Sequence, residues 1–355
     1  MLAAVLLSTV ARPGNAFSFE RPHSTGANVC DQTTLDALLA PSSGDPSEFV
    51  LNCTADLPPG TTVTKNVVFE GSEASGAVLN CNGSTIDATA GNGTLERIAV
   101  IVRSKHLPDG SWDAPRDVAI TNCHVRGFIR IRGLDYTASG SNMKASSTKP
   151  DHTAFVQAAS PRDTVLDTLL IEPPGNIALY VGPGVTGTVL EKSTFVGHTN
   201  GTAIYLDAES SRSLIIGNSF QISTKSRELI AIDGSSRNRI TGNSFENAYN
   251  GGIFIYRNCG EQGVIRHQKP EYNVIVGNTF RYDRKPPFKP AVWLGSRGGK
   301  QSYCFSDPQC PFGSSQSPLD YARNNTVEQN EFLGGSLSLI RNDDQDNLIL
   351  DNYAE

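Results

Sequence analysis

Polar side chains that could transfer protons follow three alternating apolar runs in the middle of the chain. Asp207 follows AIYL, Asp233 follows LIAI, and the pair Tyr256–Arg257 follows GIFI. If these runs stack as strands, the polar side chains form one column with a spacing of about 4.8 Å. Two carboxyl groups at that spacing would hold one pKa high, which supplies an acid and a base. Asp also favours strand ends as a turn former, so the column has an architectural explanation as well.

A basic patch lies between Arg257 and Lys300, after this column, although the whole chain has a net charge of −6. Ser296–Arg297 and Arg341 are expected to extend the column, and His267 adds a group that titrates near neutrality. Arg pairs bidentately with carboxylates, so the patch favours a groove for an anionic polymer. A solvated loop face is the alternative. The overall negative charge does not favour a nucleic-acid partner.

The catalytic and binding candidates come from these two features. For β-elimination, we expect Arg257 with Arg266 or Arg297 to neutralise a carboxylate, and His267 or Tyr256 to remove the proton beside it. The catalytic candidates are therefore Asp207, Asp233, Tyr256, Arg257 and His267. The candidate substrate-binding residues are Arg266, Lys269, Trp293, Arg297 and Lys300.

A repeat positions these residues. Successive lines of sequence end in Gly-Asn-Ser/Thr-Phe at Phe220, Phe245 and Phe280. The first interval is 25 residues and the second is 35, because GEQGVIRHQKP is inserted. Short strands at this period indicate a solenoid. We predict an all-β, single-stranded right-handed parallel β-helix, with a β-sandwich as the alternative. Its interior should hold an aromatic stack and an amide ladder of Asn218, Asn243, Asn278 and Asn330.

The ends of the chain suggest export and a capped solenoid. Residues 1–16 resemble a secretory signal peptide, and no other run is apolar enough for a membrane span. We therefore expect a secreted or periplasmic protein with one β-helix domain over residues 17–355. Loop excursions are predicted at about 134–150, 259–271 and 298–323. The segment DQTTLDALLA predicts an N-terminal capping helix with Asp31 as its N-cap.

Seven cysteines fit an oxidising compartment. Cys30 and Cys53 are expected to fasten the capping helix to the first coil. Cys304 and Cys310 are expected to close their own loop. Spacing alone does not fix disulfide connectivity, so both pairings are hypotheses.

A resemblance adds to this interpretation over roughly Gly201 to Phe280. An apolar strand that ends in Arg, followed by N-x-[VI]-x-x-N-x-F, resembles the parallel β-helix lyases of the alginate lyase and chondroitinase B type. The wider superfamily includes mannuronan C5-epimerases, whose D-P-H-D motif this chain lacks. The resemblance implies an exported enzyme acting on a uronic-acid-containing glycan by β-elimination or epimerisation. It matches Arg257 to the residue that protonates the leaving oxygen, and Glu228 to a calcium ligand. The place of the lyases' basic Lys holds Asp233.

Two other functions remain open at this point. Asp207 and Asp233 would be the acid and base of a glycoside hydrolase. A glycan-binding β-helix or adhesin would need only the aromatic and basic residues. All three hypotheses have a polysaccharide or oligosaccharide as partner, and each is compatible with a homo-oligomer.

Overall fold

The computed structural model describes residues 28–42, 47–89, 97–284 and 289–355. The predicted signal peptide lies outside these residues. Three parallel ten-stranded sheets wind along the described chain, so the predicted parallel β-helix is confirmed. Each turn of the solenoid contributes one short strand to each sheet in chain order, which is why a fixed repeat of apolar runs produces this architecture.

The first sheet carries the predicted column at the ends of its strands. Its strands are Glu48–Val50, Asn66–Glu70, Ile98–Arg103, Phe128–Arg132, Leu179–Val181, Ile204–Leu206, Ile230–Asp233, Ile253–Tyr256, Val292–Leu294 and Ile340–Asn342. Those of the second sheet are Ala55–Asp56, Val78–Asn80, Ala119–Thr121, Val165–Asp167, Val189–Glu191, Leu214–Ile216, Arg239–Thr241, Val274–Val276, Thr326–Glu328 and Leu348–Leu350.

The third sheet completes each coil and contributes the aromatic column. Its strands are Thr62–Val63, Thr85–Asp87, His124–Arg126, Leu170–Glu172, Thr194–Thr199, Ser219–Thr224, Ser244–Glu246, Thr279–Arg281, Glu331–Leu333 and Tyr353–Ala354. A separate antiparallel pair joins Lys105–His106 to Trp112–Asp113. Short 3-10 helices span Ser72–Ala74, Glu261–Gly263 and Leu337–Leu339.

The repeated residues form the expected interior ladders. Five phenylalanines stack with ring centroids 4.6 to 5.3 Å apart: Phe195, Phe220, Phe245, Phe280 and Phe332. The amide ladder begins at Asn218, and each side chain donates to the next at 2.9 Å through Asn243, Asn278, Asn330 and Asn352. Because a buried amide is costly without partners, each rung fixes the register of its neighbour.

The N-terminal cap agrees with the sequence. Helix α1 spans Gln32–Leu39, and the Asp31 carboxylate accepts a hydrogen bond from the backbone N–H of Thr34 at 2.8 Å. Leu38 is buried against the first coils. The predicted disulfide between Cys30 and Cys53 ties this helix to the first coil and is confirmed.

The other disulfides correct the sequence analysis. Cys81 bonds to Cys123, and Cys259 bonds to Cys304. The predicted Cys304–Cys310 pair is wrong, since Cys310 is a buried free thiol whose Sγ lies 3.8 Å from the carbonyl oxygen of Thr148. The third disulfide therefore joins two excursions instead of closing one.

The three excursions pack together over the first sheet, and we call them the cap. The first contains helix α2, Ser141–Ser147, where the Gly/Ser-rich sequence predicted only a loop. Helix α3, His152–Ala158, follows this excursion. Residues of α2 and α3 form a small second core with Ala208 and Val264. The third excursion contains α4, Gly313–Gln316, where the Ser314 hydroxyl accepts a hydrogen bond from the backbone N–H of Arg266 at 2.8 Å.

The described helices are also informative about the membrane. None of them is both long enough and apolar enough to cross a bilayer.

Candidate functional site

The strand register brings the predicted column together. Leu206 pairs with Ile232, which aligns Asp207 with Asp233, and Asp233 pairs directly with Tyr256. Arg341 pairs with Trp293, and Trp293 pairs with Phe254, which lies two residues before Tyr256. Arg341 therefore does not extend the column as predicted. The long third excursion separates these last two coils and obscured their alignment in the sequence.

An open cavity of about 170 Å³ lies beside the Tyr256 end of this column. It combines cationic, acidic and aromatic side chains, which are the groups that recognise an anionic sugar. The residues that line it are Ser226, Arg227, Glu228, Phe254, Tyr256, Lys289, Trp293, Ser296 and Arg297. Four of these are sequence candidates, namely Glu228, Tyr256, Trp293 and Arg297.

Tyr256 has its hydroxyl group held between two charged side chains. Arg227 Nη2 donates to the hydroxyl at 2.9 Å, and the hydroxyl lies 3.2 Å from Oε1 of Glu228. The guanidinium of Arg297 lies over the ring, 4.6 Å from its centroid. Burial and the negative charge of Glu228 raise the pKa of Tyr256 well above its ordinary value. Tyr256 is therefore a neutral proton donor at neutral pH.

Glu228 is the ionised partner of this tyrosine. Burial works to raise its pKa, but two hydrogen bonds and the charge of Arg227 outweigh it, so the pKa of Glu228 is lowered. Arg227 donates to both carboxylate oxygens, at 2.7 and 3.0 Å. The proposed calcium role for Glu228 does not fit, because Arg227 already balances its charge and no other acidic side chain of the described residues lines the cavity. No group of three potential metal ligands occurs among the described residues.

Two further cations face the cavity without a carboxylate partner in the described chain. Lys289 Nζ donates to the carbonyl oxygen of Ser226 at 2.6 Å, and Arg297 contacts the Tyr256 ring. The carboxylate of Asp320 accepts from the backbone N–H of Arg297, not from its guanidinium. The cavity therefore has positive charge available for an anionic ligand.

Trp293 and Phe254 form the aromatic wall of the cavity. Their rings meet edge to face, with centroids 5.3 Å apart. Arg341 lies over the indole of Trp293 at 4.3 Å, and the indole N–H donates to Asp343 at 2.9 Å. One face of Trp293 is therefore already covered, so the aromatic pair offers an apolar wall more than an open stacking platform.

Asp207 and Asp233 lie together but are enclosed by their neighbours. Asp207 is 5% exposed and accepts hydrogen bonds from the Tyr180 hydroxyl and from the backbone N–H of Ala138 at 3.1 Å. Asp233 is 0% exposed and accepts from the Tyr205 hydroxyl at 2.7 Å. Burial raises the pKa of both carboxyl groups. Neither lines the open cavity.

The two buried arginines brace the cap. Arg257 is 1% exposed, and its Nη2 donates to the carbonyl oxygens of Ser317 at 2.8 Å and Leu319 at 2.6 Å. Arg266 is also 1% exposed, and its Nη1 donates to the carbonyl oxygen of Ala138 at 2.8 Å. The structure thus places both guanidinium groups inside the protein, away from the open cavity.

The remaining sequence candidates also lie outside the cavity. His267 packs inside the cap, where its Nε2 lies 2.7 Å from the carbonyl oxygen of Ser147. Lys269 is exposed and lies over the Tyr321 ring at 4.9 Å. Lys300 is exposed and does not line the cavity.

Three charged or aromatic residues of the cavity were not among the candidates from the sequence: Arg227, Lys289 and Phe254. The sequence analysis followed only the C-terminal ends of the strands, whereas Arg227 and Lys289 precede them. Phe254 could have been found from strand alternation, because it faces outward between the inward-facing Ile253 and Ile255.

Among known proteins, similarity to this chain is found in structure and not in sequence. No family model matches the sequence, and no curated protein is significantly similar to it. An alginate lyase from Paenibacillus sp. str. FPU-7 has a similar structure, with 12% identity, a TM-score of 0.39, and coverage of 90% of this chain and 92% of that one.

Two other similar structures are glycan-acting enzymes of different kinds. The A-module of the Azotobacter vinelandii mannuronan C-5 epimerase AlgE4 has 14% identity and a TM-score of 0.42, over 93% of this chain and 92% of that one. The catalytic domain of a GH87 alpha-1,3-glucanase has 10% identity and a TM-score of 0.41, over 87% of this chain and 51% of that one. Since all three TM-scores are below 0.5, the choice of activity depends on the geometry of the cavity.

Proposed function

We propose that this protein binds an acidic glycan in the open cavity and cleaves it by β-elimination, with Glu228 and Tyr256 transferring the protons. One observation carries the proposal. A neutral tyrosine hydroxyl and an ionised carboxylate lie 3.2 Å apart in the wall of a cavity that also presents two cations without carboxylate partners.

The cations suit the carboxylate of a uronic acid. Arg297 offers a planar guanidinium that can pair bidentately with a carboxylate, and Lys289 offers a point charge. Phe254 and Trp293 give the sugar ring an apolar wall beside these charges. A neutral glycan would leave both cations without an anionic partner, so the cavity favours an acidic one.

The protons can be followed through a complete cycle. Charge neutralisation by Arg297 acidifies the C–H bond beside the carboxylate, and Glu228 takes that proton. The electrons of the broken C–H bond form a carbon–carbon double bond, and the C–O bond to the leaving sugar breaks. Tyr256 gives its proton to the leaving oxygen. Glu228 then returns its proton to the Tyr256 phenolate across their contact, which restores both groups.

Hydrolysis by Asp207 and Asp233 is less well supported by the geometry. All four side chains of the two candidate pairs are buried, but Glu228 and Tyr256 line the open cavity, whereas Asp207 and Asp233 do not. We therefore give this pair a structural role beneath the cap. Epimerisation shares the first proton removal, and it differs from elimination in leaving the glycan chain intact.

Variants of the pair test the proposal on acidic polysaccharides. We expect Tyr256→Phe and Glu228→Gln each to slow formation of the unsaturated uronide by about a hundredfold or more. Tyr353→Phe is the matched control, because Tyr353 is an exposed tyrosine outside the cavity. Full activity in both Tyr256→Phe and Glu228→Gln would overturn the assignment.

A further inference from the structure

A strip of exposed arginines follows the turn between the first and second sheets, apart from the cavity. We call it the arginine strip, and its members are Arg116, Arg162, Arg212, Arg237 and Arg239. Arg116 bridges to Arg162 on adjacent coils, and the backbone N–H of Arg212 donates to the carbonyl of Ser236, the residue before Arg237. The arginines therefore lie on four of five successive coils, which are about 4.8 Å apart, and the coil of Thr186 between Arg162 and Arg212 carries none.

These guanidinium groups are not used to hold the fold together. None of the five forms an ion pair or a side-chain hydrogen bond with another described residue, and all five side chains are exposed. Asp117 and Asp163 directly follow Arg116 and Arg162 in the chain, and the backbone carbonyl of Glu271 accepts a hydrogen bond from the backbone N–H of Arg237. Burial and Asp117 raise the pKa of Asp163, while Arg162, Arg212 and Arg116 all act to lower it. The charges of three arginines from different coils thus act on Asp163 without an ion pair to any of them.

Two arginines of the strip have a backbone conformation that disfavours arginine. Arg212 and Arg237 have φ values of 59° and 58°, in the left-handed region, where glycine is the least strained choice. Gly187 occupies this same turn position in the preceding coil, and the Asp163 side chain extends toward it. Arginine at two successive such positions places positive charge on the surface at a conformational cost.

An aromatic side chain continues the strip on the next coil. Arg237 lies over the ring of Tyr272, 4.9 Å from its centroid, and Tyr272 is 43% exposed. Lys269 and Arg323 lie over Tyr321 in the same way, at 4.9 and 4.8 Å. Exposed rings beside cations can hold a sugar ring and its anionic group together.

We infer that the arginine strip is a second glycan site, which holds an acidic polysaccharide chain outside the cavity. The arginines lie along the axis of the solenoid on several coils, so an extended polyanion lying along the strip can meet several of them at once. The identity of the polymer as the substrate rests on the proposed function. The strip would keep long chains near the cavity, whereas a short oligosaccharide would need the cavity alone.

The test compares binding of a long polymer with cleavage of a short one. The strip variant carries Arg212→Ser, Arg237→Ser and Arg239→Ser. The control removes the same charge at exposed positions elsewhere, through Lys105→Ser, Lys192→Ser and Arg281→Ser. Binding to immobilised alginate and polygalacturonate is measured at low and high salt, and circular dichroism checks that each variant is folded.

We expect the strip variant to bind these polymers about tenfold more weakly at low salt, with a shallower salt dependence. The control should bind within about twofold of the wild type. Cleavage of uronate oligosaccharides too short to reach the strip should be unchanged. Equal binding by strip variant and control would overturn the inference. Equally tight wild-type binding to DNA or to phosphatidylserine vesicles would overturn the glycan assignment.

The cavity variant Arg297→Ala separates this inference from the proposed function. If Arg297→Ala abolishes polymer binding and the strip variant does not, the second site is wrong and the cavity remains. If the wild type binds polymers through the strip but cleaves none of them, the proposed function fails and the strip remains.

Discussion

The Tyr256 hydroxyl lies 3.2 Å from a carboxylate oxygen of Glu228, and Arg227 contacts both groups. Arg227 thereby sets the protonation of the pair. Without Arg227, only a backbone hydrogen bond and the charge of Arg297 would oppose burial, and the pKa of Glu228 would rise.

The acid limb of the pH–rate profile tests whether Arg227 sets the protonation of Glu228. The pKa of Glu228 lies below 4.5 in the native site, so the wild type should show no loss of kcat/KM from this group at neutral pH. In Arg227→Gln, we expect the acid limb to move up by about one pH unit or more. Profiles of kcat/KM on one acidic oligosaccharide would measure the shift. An unmoved limb in a folded Arg227→Gln variant would contradict the role of Arg227.

Recognition of the acidic group should depend on Arg297. We expect Arg297→Ala to lower kcat/KM on an acidic glycan by about tenfold to a hundredfold, with Arg297→Lys in between because lysine keeps the charge but loses the fork. Arg281→Ala is the control, since Arg281 is exposed and does not line the cavity. If Arg297→Ala and Arg281→Ala have the same activity, Arg297 does not bind the substrate.

Stability should fall in mild acid because of His152. This side chain is fully buried in the cap, and burial lowers its pKa from 6.5 to about 4. Between pH 4 and pH 6.5, the unfolded chain therefore binds a proton at His152 and the native protein does not. The stabilisation is fully present above pH 6.5 and is lost as the pH falls toward 4, by about 3 kcal/mol at most.

Urea unfolding at pH 7 and pH 4.5 would measure this effect. His152→Asn should be less stable than the wild type at pH 7 but lose less stability on acidification. His198→Asn is the control, because His198 is exposed. Equal pH dependence in the wild type and His152→Asn would show that another group is responsible.

The disulfide between Cys259 and Cys304 should support the cavity from the cap. It joins the second excursion to the third, close to Arg297 in sequence, and the Tyr303 hydroxyl donates to Asn258 at 2.8 Å. The double variant Cys259→Ser/Cys304→Ser should lose about 2–4 kcal/mol of stability and part of its affinity for the glycan.

Cys310→Ser is the matched control, because Cys310 lies in the same excursion but forms no disulfide. Thermal unfolding and KM on an acidic oligosaccharide would be measured for both variants. A double variant with wild-type KM would show that the disulfide supports the fold without shaping the site.

The fold was predictable because its signal is repeated and local. Each Phe and Asn of the ladders recurs at the same place in its line of sequence. Each Phe stacks on a Phe of the next coil, and each Asn donates a hydrogen bond to an Asn of the next coil. The pairing of Asp233 with Tyr256 follows from that repeat. The disulfide from Cys30 to Cys53 could be predicted for a related reason, since it joins the N-terminal capping helix to the first coil.

The site was harder to predict because the cap interrupts the repeat. Arg257 donates to Leu319, which lies 62 residues later, and no sequence period indicates that contact. The pattern placed Arg257 at a strand end, and its burial depends on an excursion that does not repeat. Cys304 similarly finds its partner in another excursion and not in the neighbouring Cys310.

The products of the reaction distinguish β-elimination from hydrolysis most directly. The wild-type protein would be incubated with a panel of acidic and neutral polysaccharides, and each reaction would be followed for ultraviolet absorbance of an unsaturated uronide and for new reducing ends. We predict that both signals rise together, on acidic polysaccharides alone. New reducing ends without the absorbance would contradict β-elimination at Tyr256 and Glu228, and would indicate hydrolysis instead.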